Sequence, residues 1–231
     1  MDRRCALCRA IVDNAGPQNK PRIENSILLE SQRFVVIPAM GPMAPGHVLV
    51  VSREHHPSLA AMGEQAIQEY AGIAKHLAAM PLFRTQRPLE AEHGSTGSHK
   101  AGACVMHTHI HWLPGMGRYE SAFDGWMDKL SEGENLCELQ AFATTPYIFT
   151  RGDSARWRCY HAIGQDSQMI RRTLCDELGR TDLNWRNSLR PDWVSQTVEL
   201  LGKSSEGRHP SIQMRCLPGL QGSATERAQE M

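Results

Sequence analysis

Short apolar runs predict a sheet in the first half of the chain. Runs at 34–37 and 47–52 are rich in β-branched residues and favour strands. The short run 27–29 and the mixed stretch 89–94 are also predicted to be strands. Four polar residues separate 27–29 from 34–37, which predicts a β-hairpin. The stretch 38–46 contains several Pro and Gly residues and predicts a rigid loop before the third strand.

A helix is predicted between the third and fourth strands, at about 63–80. Its apolar residues recur at the i, i+3, i+4, i+7 spacing of one helix face, and Pro81 is expected to end it. The face that should pack on the sheet consists of Ala66, Ile67, Tyr70, Ile73, Ala74 and Leu77.

The second half of the chain has a more mixed pattern. Phe123, Trp126, Met127 and Leu130 fit one face of a short amphipathic helix that Gly133 would end. Further elements follow along the chain. They are strands at 147–150 and 157–161, a helix N-capped by Asp166 or Ser167 and stopped by Gly179, and a helix at 191–202.

These elements predict an α+β fold with an antiparallel sheet of about five strands and packed helices. We expect a domain at 1–116, an extension with strands and helices at 117–203, and a polar, disordered tail at 204–231.

Composition excludes several classes of protein. The 231 residues are 41% hydrophobic and 22% charged, enough for a core, and the formal net charge is zero. We therefore expect no bulk electrostatic binding to nucleic acid or to an anionic membrane. No apolar run is long enough to span a bilayer, and the start lacks the apolar stretch of a signal peptide, so a cytoplasmic location is predicted.

Three histidines at alternate positions are the main candidate for chemistry. His107, His109 and His111 would share one face of a strand, because successive strand side chains alternate faces. Solvated or core-satisfied histidines are the alternative.

Two other stretches carry candidate chemistry. Cys5 and Cys8 form a C-x-x-C pair among seven cysteines, which indicates a metal or redox pair before a disulfide. The loop 95–102 is rich in Gly and hydroxyl residues, so its backbone N–H groups could face phosphate oxygens. An accidental pair and a plain hairpin loop are the alternatives.

Taken together, these motifs resemble the histidine triad (HIT) superfamily. His107-Thr-His109-Ile-His111-Trp-Leu is similar to its signature, and Gly46-His47-Val-Leu-Val-Val resembles its second fixed stretch. The resemblance covers about 5–115 and extends more distantly to galactose-1-phosphate uridylyltransferase. The stretches 147–150, 168–172 and 184–186 resemble the C-terminal extension of longer HIT proteins.

The resemblance implies catalysis at the α-phosphate of a nucleotide. His109 would be the nucleophile and form a covalent nucleotidyl-histidine, while His111 and His47 would bind the phosphate oxygens. Backbone amides of the loop 94–104 would add to oxyanion stabilisation. The candidate substrate contacts in this loop are Ser98, Gly102 and Cys104.

His107 has two roles among relatives of this kind. In HIT hydrolases without a metal it orients its neighbours, and in metal-bearing relatives the corresponding histidine is a zinc ligand. Here Cys5, Cys8, His55 and His107 make a Cys₂His₂ set suited to structural Zn²⁺. Free thiols and a surface histidine are the alternative.

Some positions depart from the family pattern or stay open. Cys104 stands where many HIT hydrolases carry Ser or Thr to help protonate the leaving group, and a thiol is a poor donor. His93 either faces the site or lies at the loop edge. Arg171 and Arg172 are adjacent on a helix, so at most one is expected to reach a polyphosphate.

Three functions follow from the resemblance. The first is a hydrolase that releases a purine nucleoside monophosphate from a phosphoramidate, dinucleoside polyphosphate or similar conjugate. The second is a nucleotidyltransferase or phosphorylase with an acceptor other than water. The third is a non-enzymatic, zinc-stabilised nucleotide-binding protein. A homodimer is expected by family analogy alone.

Overall fold

A computed structural model describes residues 4–14 and 26–202. In this part of the chain one antiparallel sheet has the strand order β1-β2-β3-β5-β4-β7-β8-β6. Its strands are β1 (Leu29–Glu30), β2 (Phe34–Pro38), β3 (Val48–Ser52), β4 (Leu89–Gly94), β5 (His109–Leu113), β6 (Lys129–Gly133), β7 (Tyr147–Arg151) and β8 (Trp157–His161). The helices are α1 (Ala6–Asn14), α2 (Glu64–Ala79), α3 (Pro81–Thr85), α4 (Met169–Glu177) and α5 (Pro191–Gly202).

The sheet is covered on both faces, which explains why so many of its strand residues are buried. On one face, α2 and the 3₁₀ segment Leu136–Phe142 pack against side chains such as Val50, Ile110 and Trp112. On the other face, α1 packs beside Leu49 and Val51, and α4 packs beside Ala91 and Leu113. Alternation along β5 therefore sends His109 and His111 to one face and Ile110 and Trp112 to the other.

The sheet runs without a break from the N-terminal strands into the C-terminal segment. β4 pairs with β5 on one side and with β7 on the other, in the register Glu92↔Ile110 and Glu92↔Phe149. Gly94 lies directly against the Tyr147 ring, where an added Cβ would clash. The side of β4 away from β5 is consequently closed within this chain.

Most predicted elements are confirmed. The α+β class is correct, as are the hairpin of β1 and β2, the helix α2 and its end at Pro81, and the strands β3 and β4. The strands β7 and β8 and the helices α4 and α5 also lie where the sequence placed them. The described sheet has eight strands instead of about five, because the extension adds its strands to the same sheet.

The predicted helix before Gly133 is wrong. A 3₁₀ turn at Gly117–Tyr119 and further turns lead instead into β6, which pairs with β8. Phe123 and Met127 are buried as expected, but Trp126 is 55% exposed. Pairing with β8 satisfies the backbone of 129–133, and this tertiary interaction outweighs the local helical pattern.

Two details at helix starts also differ from expectation. Asp166 and Ser167 do not cap α4, since Gln168 precedes its first turn without a side-chain cap. The Asp166 carboxylate is paired with Arg172, and the Ser167 hydroxyl lies 3.1 Å from Cys104 Sγ. The short helix α1 was not predicted.

The predicted tail at 204–231 lies outside the described residues. In the described part of the chain, no helix combines the length and apolar character needed to cross a membrane.

Candidate active site and metal centre

Two adjacent strands bring three of the four predicted active-site histidines together. His109 and His111 lie on β5, which pairs with β3 in the register Val51↔His109 and Leu49↔His111. His47 immediately precedes β3. Ring centroids are 5.2 Å apart for His109 and His111, and 5.3 Å apart for His47 and His111.

A hydrogen-bond relay fixes the tautomers of His47 and His111. The Met43 N–H donates to Nδ1 of His47 at 3.2 Å. The proton of neutral His47 is therefore on Nε2, which donates to Nδ1 of His111 at 3.1 Å. His111 in turn carries its proton on Nε2. This N–H can therefore donate a hydrogen bond to an anionic oxygen in the cavity.

The opposite arrangement holds at His109. Its Nδ1 lies 2.6 Å from the His107 carbonyl oxygen and must donate to it, because a carbonyl only accepts. Nε2 of neutral His109 consequently carries the lone pair. His109 also lines the cavity beside His47 and His111, so this nitrogen belongs to a site with hydrogen-bond donors nearby.

Burial keeps these imidazoles neutral. It lowers the pKa of His47 to about 3, with Arg171 and His109 adding to the effect. Burial, together with the neighbouring histidines and Arg171, holds the pKa of His111 well below its usual value. The pKa of His109 is also lowered by burial, against an opposing contribution from its bond to the His107 carbonyl.

The histidines open into a cavity of about 160 Å³. Loop and strand residues line it, and the C-terminal segment contributes residues from a second direction. The lining residues include His47, His93, Cys104, His109 and His111 from the first part of the chain, and Gln168, Ile170, Arg171 and Trp185 from the extension.

Of the three predicted substrate contacts in the loop, only Cys104 is among the residues that line the cavity. Cys104 lines the cavity, whereas Ser98 is exposed and bonded to Nδ1 of His99 at 2.8 Å. Gly102 is buried with φ of +73° and its carbonyl accepts from the Gln168 N–H. Neither Ser98 nor Gly102 is among the lining residues, and their substrate roles stay predictions.

His93 faces the site. Its ring centroid is 6.5 Å from that of His111, and its Nδ1 donates to the Ala101 carbonyl at 2.8 Å. Burial lowers the pKa of His93 to about 4. It therefore adds a neutral imidazole whose Nε2 is an acceptor.

Of the two adjacent arginines on α4, Arg171 is the one that lines the cavity. Arg171 is buried at the cavity and bonded to the Gly41 carbonyl and to Asp182, whereas Arg172 points outward and pairs with Asp166. Sequence reasoning missed Met43 and Trp185, because nothing in the local pattern indicates that a backbone N–H or a distant indole reaches the site.

Four side chains from three distant segments form a separate cluster. The two sulfurs of Cys5 and Cys8 each lie 3.5 Å from Nδ1 of His107, and Cys8 Sγ lies 3.5 Å from Nδ1 of His55. All four ligand atoms lie within 4.8 Å of one another. The predicted set is thus brought together in space.

The cluster fits a tetrahedral metal ion. Bond lengths of about 2.3 Å to sulfur and about 2.0 Å to nitrogen place tetrahedral S and N ligands roughly 3.5 Å apart, which agrees with the observed separations. Nε2 of His107 donates to the Ser52 carbonyl at 2.7 Å, so its Nδ1 lone pair faces the sulfurs. The donor set can therefore hold a metal next to the strand that carries His109 and His111.

Comparison with known proteins shows which family this part of the chain resembles. The family profile of the HIT domain matches residues 20–118. Residues 20–118 are a HIT domain. The resemblance inferred from the sequence motifs is thereby confirmed, and the four histidines that line the cavity, His47, His93, His109 and His111, all lie within the matched residues.

Individual relatives are distant. The chain is 30% identical over 80 residues to an uncharacterized HIT-like protein of Mycoplasma genitalium, an alignment that covers 35% of this chain and 54% of that protein. The chain thus spans about half the length of the curated relative that it matches.

Solved structures show similarity at low TM-scores. A HIT family hydrolase from Clostridium thermocellum is 24% identical, with 50% of this chain and 93% of that chain covered and a TM-score of 0.37. Yeast Ap4A phosphorylase in complex with AMP is 12% identical, with 82% of this chain and 79% of that chain covered and a TM-score of 0.41.

Proposed function

We propose that this HIT-domain protein is an enzyme that cleaves nucleotide conjugates at the α-phosphate through a nucleotidyl intermediate on His109. The bond from Nδ1 of His109 to the His107 carbonyl carries the proposal, because it leaves Nε2 with the lone pair inside the cavity. A protein that only binds nucleotides has no need of a fixed nucleophile.

The first step forms one bond and breaks another. The Nε2 lone pair of His109 attacks phosphorus, and the bond from phosphorus to the leaving group breaks with its electron pair going to that group. Nε2–H of His111 donates to a phosphate oxygen. The ring of His109 becomes cationic in the adduct, and the His107 carbonyl at 2.6 Å accepts from its Nδ1–H and stabilises this charge.

The second step returns the enzyme to its starting state. Water or another acceptor attacks phosphorus, and the bond between phosphorus and Nε2 breaks with its electrons returning to the ring. The acceptor loses its proton to solvent. In water the product is a nucleoside monophosphate; with another acceptor the nucleotide is transferred.

Protonation of the leaving group needs a donor near Cys104. The thiol is a weak donor, but the hydroxyl of Ser167 lies 3.1 Å from its sulfur. We infer that the extension restores at this position the hydroxyl that the domain itself lacks.

We further propose that the Cys/His cluster holds a structural Zn²⁺. The ligands would be Cys5, Cys8, His55 and His107, a closed set without an open coordination position. Zinc would supply a rigid link that fixes α1 and His107, whose carbonyl orients the nucleophile two residues later.

The expected purine preference and homodimer rest on the family resemblance. In the described part of the chain, the sheet ends at β1 and β6, and the free side of β4 is taken by β7. A dimer of this chain would therefore use a surface other than the β4 edge. Sedimentation velocity of the full chain tests the dimer.

Turnover of a panel of adenosine and guanosine conjugates tests the catalytic proposal. His109→Ala should lose activity by about 10⁴-fold or more, as expected when a covalent nucleophile is removed. His76→Ala is a matched control, because His76 is exposed on α2 away from the cavity. Equal activity of His109→Ala and His76→Ala would contradict the nucleophile.

The same assay separates the two enzymatic alternatives. Release of nucleoside monophosphate in buffer without an added acceptor identifies a hydrolase. Product that forms only when phosphate or another acceptor is added identifies a transferase or phosphorylase. Nucleotide binding without product under either condition supports the non-enzymatic alternative and contradicts the proposal.

A further inference from the structure

A second cavity lies on the face of the sheet opposite the histidines. Its volume is about 390 Å³, more than twice that of the catalytic cavity. α2, α3 and the ends of β4, β5 and β7 surround it. Trp112 lies in its wall although His111 next to it faces the catalytic cavity, because the two side chains point to opposite faces of β5. The proposed chemistry does not use this space.

Small and aromatic side chains make one wall of the cavity apolar. Ala71, Ala74 and Ala78 recur along one side of α2 and leave room above the sheet. Phe83 and Trp112 pack edge to face at a centroid distance of 5.3 Å. This wall suits a flat or aliphatic ligand body.

Basic side chains make the rest of the cavity positive. Lys75, Arg84 and Arg87 line it and are exposed. Among the described residues, no carboxylate lies within 4.0 Å of any of these three cations. Most other arginines of the described segments are paired with Asp or Glu. Lys75, Arg84 and Arg87 line the same cavity, so their charges leave an excess of positive charge at its mouth.

The acidic residue in the wall does not cancel this charge. Glu90 accepts from Nε and Nη2 of Arg151 at 2.8 Å each, and the Tyr70 hydroxyl also donates to it. Trp112 Nε1 donates to the same hydroxyl at 3.2 Å. The buried carboxylate is thus neutralised by Arg151 and held by a fixed network, and Lys75, Arg84 and Arg87 remain uncompensated.

We propose that this cavity binds a small organic anion, with a phosphate, sulfonate or carboxylate head at Lys75, Arg84 and Arg87 and an apolar body against the α2 alanines. Guanidinium groups recognise such heads by paired hydrogen bonds, and the apolar wall buries the body. The site is separate from the catalytic cavity, so its occupant is a second ligand and not the nucleotide at His109.

Titration with 8-anilinonaphthalene-1-sulfonate, an aromatic sulfonate that fluoresces in apolar sites, tests the proposal on the full chain. Arg84→Ala/Arg87→Ala should raise the Kd about tenfold or more, because two charge-assisted contacts are lost. Ala71→Leu narrows the apolar side while keeping every charge, and should weaken binding as well. Competition with octyl phosphate and with adenosine monophosphate then distinguishes an aliphatic from an aromatic body.

Lys129→Ala/Arg172→Ala is the matched control, since it removes two exposed cations that lie outside the cavity. It should leave the Kd within about twofold of the wild-type value. Circular dichroism and nucleotide turnover monitor the fold of each variant. An unchanged Kd in Arg84→Ala/Arg87→Ala, or an equal loss in the control pair, overturns the proposal and leaves the catalytic proposal intact.

Discussion

At the scale of single residues, proton positions assign different roles to similar histidines. His109 donates through Nδ1 to a carbonyl and keeps the lone pair of Nε2 for the proposed attack on phosphorus. His111 accepts through Nδ1 from His47 and keeps Nε2–H as a donor. His107 donates through Nε2 to Ser52 and keeps Nδ1 for the proposed metal. The hydrogen-bond partner of each ring therefore decides which nitrogen carries the proton.

His47 should act mainly through His111. His47→Ala removes the donor to Nδ1 of His111 and frees that ring to adopt the other tautomer, so kcat should fall about 10²- to 10³-fold. His47→Gln places an amide N–H near the position of Nε2 and should recover part of the loss. Steady-state kinetics of both variants check this, and equal kcat values for Ala and Gln would argue against the relay.

The buried carboxyl of Glu92 makes the free energy of unfolding depend on pH. Burial raises its pKa from 4.5 to about 7, although the Tyr147 hydroxyl and the Leu59 N–H both bond to it. The group is protonated more readily in the folded state, so its stabilising contribution is full below pH 4.5 and is lost as the pH rises through 7.

Comparison with Glu92→Gln isolates this term, because the amide does not titrate. From pH 4.5 to pH 8 the free energy of unfolding of the wild type should fall relative to the variant by on the order of 3 kcal/mol. Urea unfolding at several pH values measures it. A constant difference between the two proteins over this range would contradict the raised pKa.

At the scale of elements, the proposed metal centre would tie the short helix α1 to the start of the strand that carries His109 and His111. α1 has nine residues, too few to be stable alone, and it is anchored by Cys5 and Cys8 and by packing of Ile11 beside Val35 and Val51. His107, which completes the cluster, also provides the carbonyl that orients His109. Loss of the metal should therefore lower both the stability of the fold and the rate of the proposed reaction.

Cys5→Ser should reduce bound zinc from about one ion per chain to well below that value and lower the Tm. A neutral hydroxyl replaces a thiolate ligand, so the affinity of the site falls. Cys137→Ser is the control, because Cys137 is half-buried outside the cluster. Elemental analysis and thermal unfolding give the readouts, and undiminished zinc in Cys5→Ser would exclude this site.

At the scale of the whole molecule, the sequence was informative wherever the signal was local. Alternating His109 and His111, the apolar face of α2 and the strands around 147–161 could be predicted because their patterns have the period of their element. Residues 129–133 could not, since their strand depends on pairing with β8. The places of Arg171 and Trp185 in the site also depend on how the extension folds back.

The continuous sheet also explains how both parts of the chain meet at the candidate active site. The HIT domain supplies the histidines, whereas the extension closes one edge of β4 and supplies cavity walls and the Ser167 hydroxyl. The domain boundary predicted at residue 116 remains a prediction. It lies just before the turns that lead to β6.

Trapping of the nucleotidyl intermediate tests the central claim most directly. The full chain is mixed with a nucleotide conjugate, quenched within one turnover and examined by intact-mass and peptide mass spectrometry. We expect a mass increase of one nucleotidyl group on the peptide containing His109, absent in His109→Ala and present in His76→Ala. Turnover in the wild type without any adduct under these conditions, or an adduct on a different residue, would contradict it.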